Sequence, residues 1–244
     1  MFNRDNVADA KIQFAEKRYA VIDNVLEQKY IKALYREVPK LPYGVWACVG
    51  SQHEKFPAGF KHDPKFHDTL FDYIERGKGN FSYFHYAFWL LKDYHLVHSD
   101  PYVTEFNRVV NEDYTLSKNL QYTFHDLVTE VTGFTDMFTN QPTYSYYDKS
   151  SWLAAHHDPQ RYCAYILYFN ETWLTQWGGQ LCILEQDERT IKDSIEPFGN
   201  RLVIMDVTNR VNKHFISPVC ITADHPRYSL AGWFYPKEGD KNAN

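Results

Sequence analysis

Along roughly the first 140 residues, apolar positions recur at three- and four-residue steps, the period of an amphipathic helix buried on one face. Gln28–Val38 places Tyr30, Leu34 and Val38 on one stripe, and Phe66–Glu75 does the same with Phe66, Leu70 and Ile74 ahead of Gly77. A third helix is expected over Ser117–Thr132, where Leu120, Phe124, Leu127, Val128 and Val131 share a face. Ser117 is its candidate N-cap, and Gly133 stands just past the end, where a left-handed residue closes a helix.

Beyond residue 140 the period shortens. YSYY, WLAAHH, YCAYILYF, GGQLCIL, RLVIMDV, HFISPVCI and YSLAGWFY alternate with turn residues, a pattern of short strands. Asp148 to Ser151, Gly178-Gly179 and Gly199-Asn200 are the expected turns. So many short strands in succession imply a sandwich or jelly roll. The expected fold is α+β with a mainly β core, N-terminal helices lying on one face of a double sheet. No linker rich in Pro, Gly or Ser separates the halves. One domain over 1–244 is expected, with 1–140 as a helical support region and 141–236 as the β core.

Composition narrows the class. The chain has 244 residues, a formal net charge of −5, 44% apolar residues and 17% aromatics, which excludes disorder, collagen and coiled coil. No apolar run reaches the ~18 residues a membrane span needs, and MFNRDNVADAK lacks the apolar core of a secretory leader. Cys48, Cys163, Cys182 and Cys220 are scattered, as reduced thiols are, so a cytoplasmic protein is expected. The absence of a basic run argues against nucleic acid as partner, and nothing points to a membrane; the oligomeric state is open.

Two H-x-D triplets occur. His98-Ser99-Asp100 precedes Pro101, which suits the first position of a helix, so that triplet belongs to a solvated loop. His156-His157-Asp158 instead ends the strand-like run WLAA, and residues two apart on a strand point to the same side. His156 and Asp158 can then converge on one ion while His157 faces away. His214, opening HFISPVCI, is the candidate third ligand. Two imidazoles and one carboxylate on one face of an iron leave positions open for a co-substrate and dioxygen. In the strand RYSLAGWFY, Arg227 and Ser229 share a side, a guanidinium beside a hydroxyl in an apolar setting, which calls for a carboxylate. That carboxylate is either a ligand's or a protein partner's such as Asp206 or Glu185.

Taken in order, H-x-D, Y-F-N-x-x-W, G-G-x-L, H and R-x-S-x-x-G-W-F-Y resemble the Fe(II)- and 2-oxoglutarate-dependent dioxygenases, in particular the prolyl 4-hydroxylase-like branch, over residues 144–236. The resemblance implies a double-stranded β-helix, a cupin-like jelly roll with supporting helices. It implies Fe(II) held by His156, Asp158 and His214, with dioxygen and 2-oxoglutarate as co-substrates. Arg227 and Tyr168 then match the residues that hold the distal carboxylate of 2-oxoglutarate, with Ser229 as an auxiliary contact. Arg161 and Trp233 resemble substrate-side residues, and Tyr146 or Tyr147 matches a pocket tyrosine. Related halogenases carry a small residue where Asp158 stands, so hydroxylation of an unactivated C–H bond is implied, with a prolyl residue of a protein as substrate. The alternatives are a hydroxylase of a free amino acid or small metabolite, a cupin-type metalloenzyme working without 2-oxoglutarate, and a jelly-roll module that binds a ligand without catalysis. YAVIDNVLE resembles the family's opening strand and helix start, whereas FSYFHYAFWLL at 81–91 matches nothing in it.

Overall fold

The computed structural model describes residues 1–41, 47–49, 55–56, 65, 85–89, 100–111, 122–149, 151–221 and 226–237. In chain order the elements are α1 (Val7–Lys17), β1 (Tyr19–Asp23), α2 (Gln28–Glu37), β2 (Ala47–Val49), β3 (Lys55–Phe56), β4 (His85–Trp89), α3 (Pro101–Asn111) and α4 (Phe124–Thr132). There follow β5 (Met137–Tyr147), β6 (Leu153–His156), β7 (Cys163–Tyr168), β8 (Leu181–Leu184), β9 (Ile191–Ile195), β10 (Arg201–Asp206), β11 (His214–Ile216) and β12 (Arg227–Pro236). The helix expected at Phe66–Glu75, the His98 triplet's first residues and Ser117 lie outside the described residues, and only 85–89 of the aromatic run 81–91 is described.

Two antiparallel sheets face each other. The larger runs β1-β10-β7-β12-β5-β4-β2-β3 and the smaller β6-β11-β8-β9. Alternation along the large sheet's strands divides their side chains between two cores. Cys163, Tyr165 and Leu167 of β7, Leu202 and Ile204 of β10, and Leu230 and Phe234 of β12 meet the helices through Phe14, Ile31, Leu34, Phe106, Leu127 and Val128. The intervening residues Ala164, Ile166, Tyr168, Val203 and Met205 face the small sheet's Leu181, Ile183 and Ile216. This is the sheet-rich α+β architecture expected, with the functional cavity opening between the sheets.

Three local expectations change. The helix placed at Ser117–Thr132 has its N-cap at Thr123, whose side chain accepts from the Asp126 N–H while the Asp126 carboxylate accepts from the Thr123 N–H. That capping box satisfies two otherwise open donors and starts the helix there; Gly133 ends it at φ 74° as expected. Residues before 140 are not only helical: β1 pairs with β10 from Tyr19↔Met205 to Asp23↔Arg201, and β4 pairs with β5. Finally, α1 and β9 add elements that the sequence pattern did not mark, α1 burying only Val7, Ala10 and Phe14 and β9 being mostly exposed. Pro101 does open a helix, and Asp100 Oδ1 accepts from the Tyr102 and Val103 N–H groups at its start.

Candidate metal centre and co-substrate pocket

β6 ends at His156, directly opposite His214 at the start of β11. A register shift then pairs Leu153 with Ile216, so Leu153 and His156, three residues apart, both face the cavity. Asp158 follows just past the strand. Its Oδ1 lies 3.9 Å from His156 Nε2 and its Oδ2 3.7 Å from His214 Nε2. One ligand atom from each of the three residues falls within 4.8 Å of the others, which is the spacing of donors around a single ion.

Both imidazoles are oriented from behind. His156 Nδ1 is 2.9 Å from the Ala154 carbonyl and His214 Nδ1 2.9 Å from the Asn212 carbonyl. A carbonyl only accepts, so each Nδ1 carries the hydrogen and each Nε2 turns its lone pair to the site. Burial, with His214 beside it, lowers the His156 pKa to about 4, so the ring stays neutral and able to ligate. Burial alone would raise Asp158; His214, His156, a Trp233 hydrogen bond and Arg161 together hold it below its ordinary value. Two imidazole nitrogens and one carboxylate suit Fe(II), and three protein ligands leave sites for a co-substrate. His157 points the other way, its Nε2 3.1 Å from Glu188 Oε1.

Arg227 sits on the wall of the same open cavity, of about 70 Å³, and is only 1% exposed. Its Nε donates to the Gly179 carbonyl at 2.7 Å, Nη1 to Ser229 Oγ at 3.4 Å and Nη2 to the Tyr168 hydroxyl at 3.3 Å. The rings of Tyr147 and Tyr168 each lie 4.8 Å from the guanidinium carbon. No carboxylate of the described residues comes within ion-pair distance of Arg227. Asp206 pairs with Arg18 instead, and Glu185 is exposed on a turn, so neither supplies the protein partner considered above.

The tyrosine ambiguity resolves through register. Tyr147 is opposite Arg227 and shares its side of the sheet, whereas Tyr146 is opposite Tyr228 and packs toward the helices. Trp233 lines the cavity, and Arg161 stacks on it, the guanidinium 4.4 Å above the indole. Gly179, which sequence alone marks as a turn, also holds Arg227 through its carbonyl. It adopts φ +71°, and a Cβ there would lie 2.9 Å from Arg227 Cδ, so the missing side chain makes room for the arginine that its carbonyl holds. Trp173 braces the same turn by donating to the Gly178 carbonyl at 3.1 Å. Asn170 works elsewhere, joining Pro197 to Tyr228.

A double-stranded β-helix with a His-Asp-His triad facing a buried arginine defines the class of iron- and 2-oxo-acid-dependent oxygenases. Residues 142–235 match the family model of the 2OG-Fe(II) oxygenase superfamily. The family uses Fe(II), 2-oxoglutarate and dioxygen, and the donor set here fits them. A curated relative, prolyl 3-hydroxylase OGFOD1 of Mus musculus, is 28% identical over 142 residues, 56% of this chain and 24% of the relative. The chain thus spans about a quarter of that relative's length. Among solved structures, the Pseudomonas putida prolyl-4-hydroxylase superposes with a TM-score of 0.56 at 16% identity, covering 95% of this chain and 99% of that one. The prolyl hydroxylase of Trichoplax adhaerens, solved with a hypoxia inducible factor oxygen degradation domain peptide fragment, gives 0.61 at 16% identity, covering 95% and 91%. These likenesses establish a shared fold. No helix among the described residues is long and apolar enough to cross a membrane.

Proposed function

We propose that this protein is an Fe(II)- and 2-oxoglutarate-dependent hydroxylase acting on a prolyl residue of a protein. The observation that carries the reading is Arg227: a buried guanidinium without a carboxylate partner among the described residues, on the wall of the cavity that the triad also lines. Burying a charge without a counter-charge is costly, so such a residue awaits an anion.

His156, Asp158 and His214 would hold the iron, which supplies, with dioxygen and 2-oxoglutarate, the oxidising power for hydroxylation as 2-oxoglutarate is converted to succinate and carbon dioxide. Arg227 receives the distal carboxylate, Ser229 stands beside it, and Tyr168, already accepting from Arg227, keeps its own O–H to donate to a ligand oxygen. Burial raises the Tyr168 phenol, which keeps that hydrogen in place. Leu153, Ile166, Met205 and Ile216 line the cavity with apolar surface and limit water around the reacting groups.

A protein substrate is supported by the printed names of the relatives, a prolyl 3-hydroxylase and a prolyl hydroxylase crystallised with a peptide. The resemblance in sequence points to C4 of the prolyl ring and the curated relative's name to C3; the neighbouring carbons differ only in how the ring is presented to the iron. Single 1–244 domain organisation, with 1–140 supporting the 141–236 core, is part of the same proposal. The test is succinate formation against a panel of proline-bearing peptides and free amino acids, with the hydroxylated carbon located by NMR. Turnover of free amino acids with none of the peptides would refute a protein substrate.

A further inference from the structure

Sequence likeness places Arg161 on the substrate side, yet its side chain is engaged elsewhere. Arg161 Nη1 donates to Asp158 Oδ1 at 3.2 Å, and its Nε donates to the Tyr235 hydroxyl at 3.2 Å. One face covers the Trp233 ring at 4.4 Å, and the Tyr235 ring lies 5.6 Å away. Trp233 is also among the groups that hold the Asp158 carboxylate below its ordinary value. The ligand carboxylate is therefore held at Oδ1 by Arg161, which in turn stacks on Trp233.

We propose that Arg161 is a positioning residue for the metal centre: buttressed by Trp233 and Tyr235, it fixes the Asp158 carboxylate so that an oxygen stays turned to His156 and His214. The inference rests on the metal-centre reading above. A two-oxygen carboxylate on a rotatable bond can turn away from an ion or chelate it with both oxygens. Tethering Oδ1 restricts both motions, and Oδ2 is the oxygen nearest His214 Nε2, at 3.7 Å. Outer-sphere partners of metal ligands are worth roughly 10–100-fold in metal affinity.

The sign of the effect makes the role testable. A cation 3.2 Å from the ligand oxygen repels a divalent ion, so removing the charge alone should tighten metal binding. Loosening the carboxylate should weaken it. The experiment titrates Co(II) into metal-free wild type, Arg161→Met and Arg161→Lys without 2-oxoglutarate or peptide, reading the visible cobalt bands and the dissociation constant. Arg161 is partly solvent-exposed, its side chain keeping 24% of its accessible surface, so the variants are expected to fold, and melting curves of the metal-free proteins check this. The expected result is about tenfold weaker binding for Arg161→Met with altered cobalt bands, and partial recovery by Arg161→Lys, which keeps a donor for Oδ1 but not the planar fork. Affinity equal to or tighter than wild type in Arg161→Met would overturn the proposal and return Arg161 to the substrate. Should Arg161→Met not fold, Arg161→Lys decides alone: unchanged or tighter binding overturns the proposal, weaker binding with altered bands supports it. Failure of the wild type to bind Co(II) at all would instead overturn the metal-centre reading.

Discussion

Arg227→Met tests the reading of the co-substrate pocket most directly, because methionine keeps much of the side chain's length and removes its charge. If the guanidinium pairs with the distal carboxylate of 2-oxoglutarate, the variant leaves that charge desolvated and unpaired, at a cost of about 2–5 kcal/mol. Even the lower figure is about 30-fold in affinity. A thermal-shift assay with Mn(II) in place of Fe(II) reads this without turnover. At 2-oxoglutarate a hundred times its dissociation constant, wild type gains about 2.7 kcal/mol of stability. For a chain of 244 residues, that corresponds to a rise of about 5–11 °C. A 30-fold weaker variant at the same concentration keeps only about 0.9 kcal/mol, a rise of about 2–4 °C. Metal binding should persist, since Arg227 contributes no ligand atom to the triad. Arg227→Lys should recover part of the shift, because it restores charge without the fork. An undiminished 2-oxoglutarate shift in Arg227→Met, with a lowered melting temperature before ligand is added, would refute the reasoning and make Arg227 a purely structural residue.

Replacing His156 or His214 by Ala should abolish tight metal binding, measured as bound iron after desalting, whereas His157→Ala should retain it, because His157 faces Glu188. Gly179→Ala forces a non-glycine residue to φ +71° and drives a Cβ against Arg227; it should raise the 2-oxoglutarate dissociation constant several-fold while leaving Co(II) affinity unchanged, both read by titration. For pH, burial and His214 hold His156 at about 4 in the folded chain against 6.5 when exposed, so between these values the unfolded chain binds more protons and stability falls as pH drops. The metal-free protein should lose on the order of 3 kcal/mol across that window, and urea midpoints of His156→Gln against pH should show a correspondingly flatter acid limb.

What could be read from sequence was whatever a short-range period determines. His156 and His157 were separated because neighbours on a strand face opposite ways, and the structure places His157 against Glu188, away from the triad. The same rule put Arg227 and Ser229 on one face of β12, where they share a hydrogen bond. The rule needs a known register to go further. Tyr146 and Tyr147 are equally good strand residues, and only the pairing Arg227↔Tyr147 across β12 and β5 says which one covers the guanidinium. Periodicity alone likewise missed β1, whose partner β10 lies far along the chain and which only the family resemblance of YAVIDNVLE marked, and the polar run IKDSI of β9 carries no apolar alternation because its face is open to solvent. The start of α4 was missed for a different reason: Ser117 and Thr123 are both acceptable caps, and the choice falls to Asp126, whose carboxylate completes the box with Thr123.

The less legible part of the site consists of contacts that no period encodes. Gly179 looks like any turn glycine until the β8 approach brings its carbonyl to Arg227 Nε at 2.7 Å, with no room there for a Cβ. Arg161 is only three residues from Asp158, but its resemblance to a substrate-side residue gave no hint of that carboxylate. The intervening Gln160, at φ 63°, reverses the chain and swings the guanidinium back onto the carboxylate. In both cases a backbone in the left-handed region lies beside the group it helps to place, a conformation that costs energy for any residue other than glycine. Gln160 adopts it without being glycine, so its strain must be held by the surrounding contacts. The Arg161 hydrogen bond to Asp158 spans that turn, and the same guanidinium stacks on Trp233.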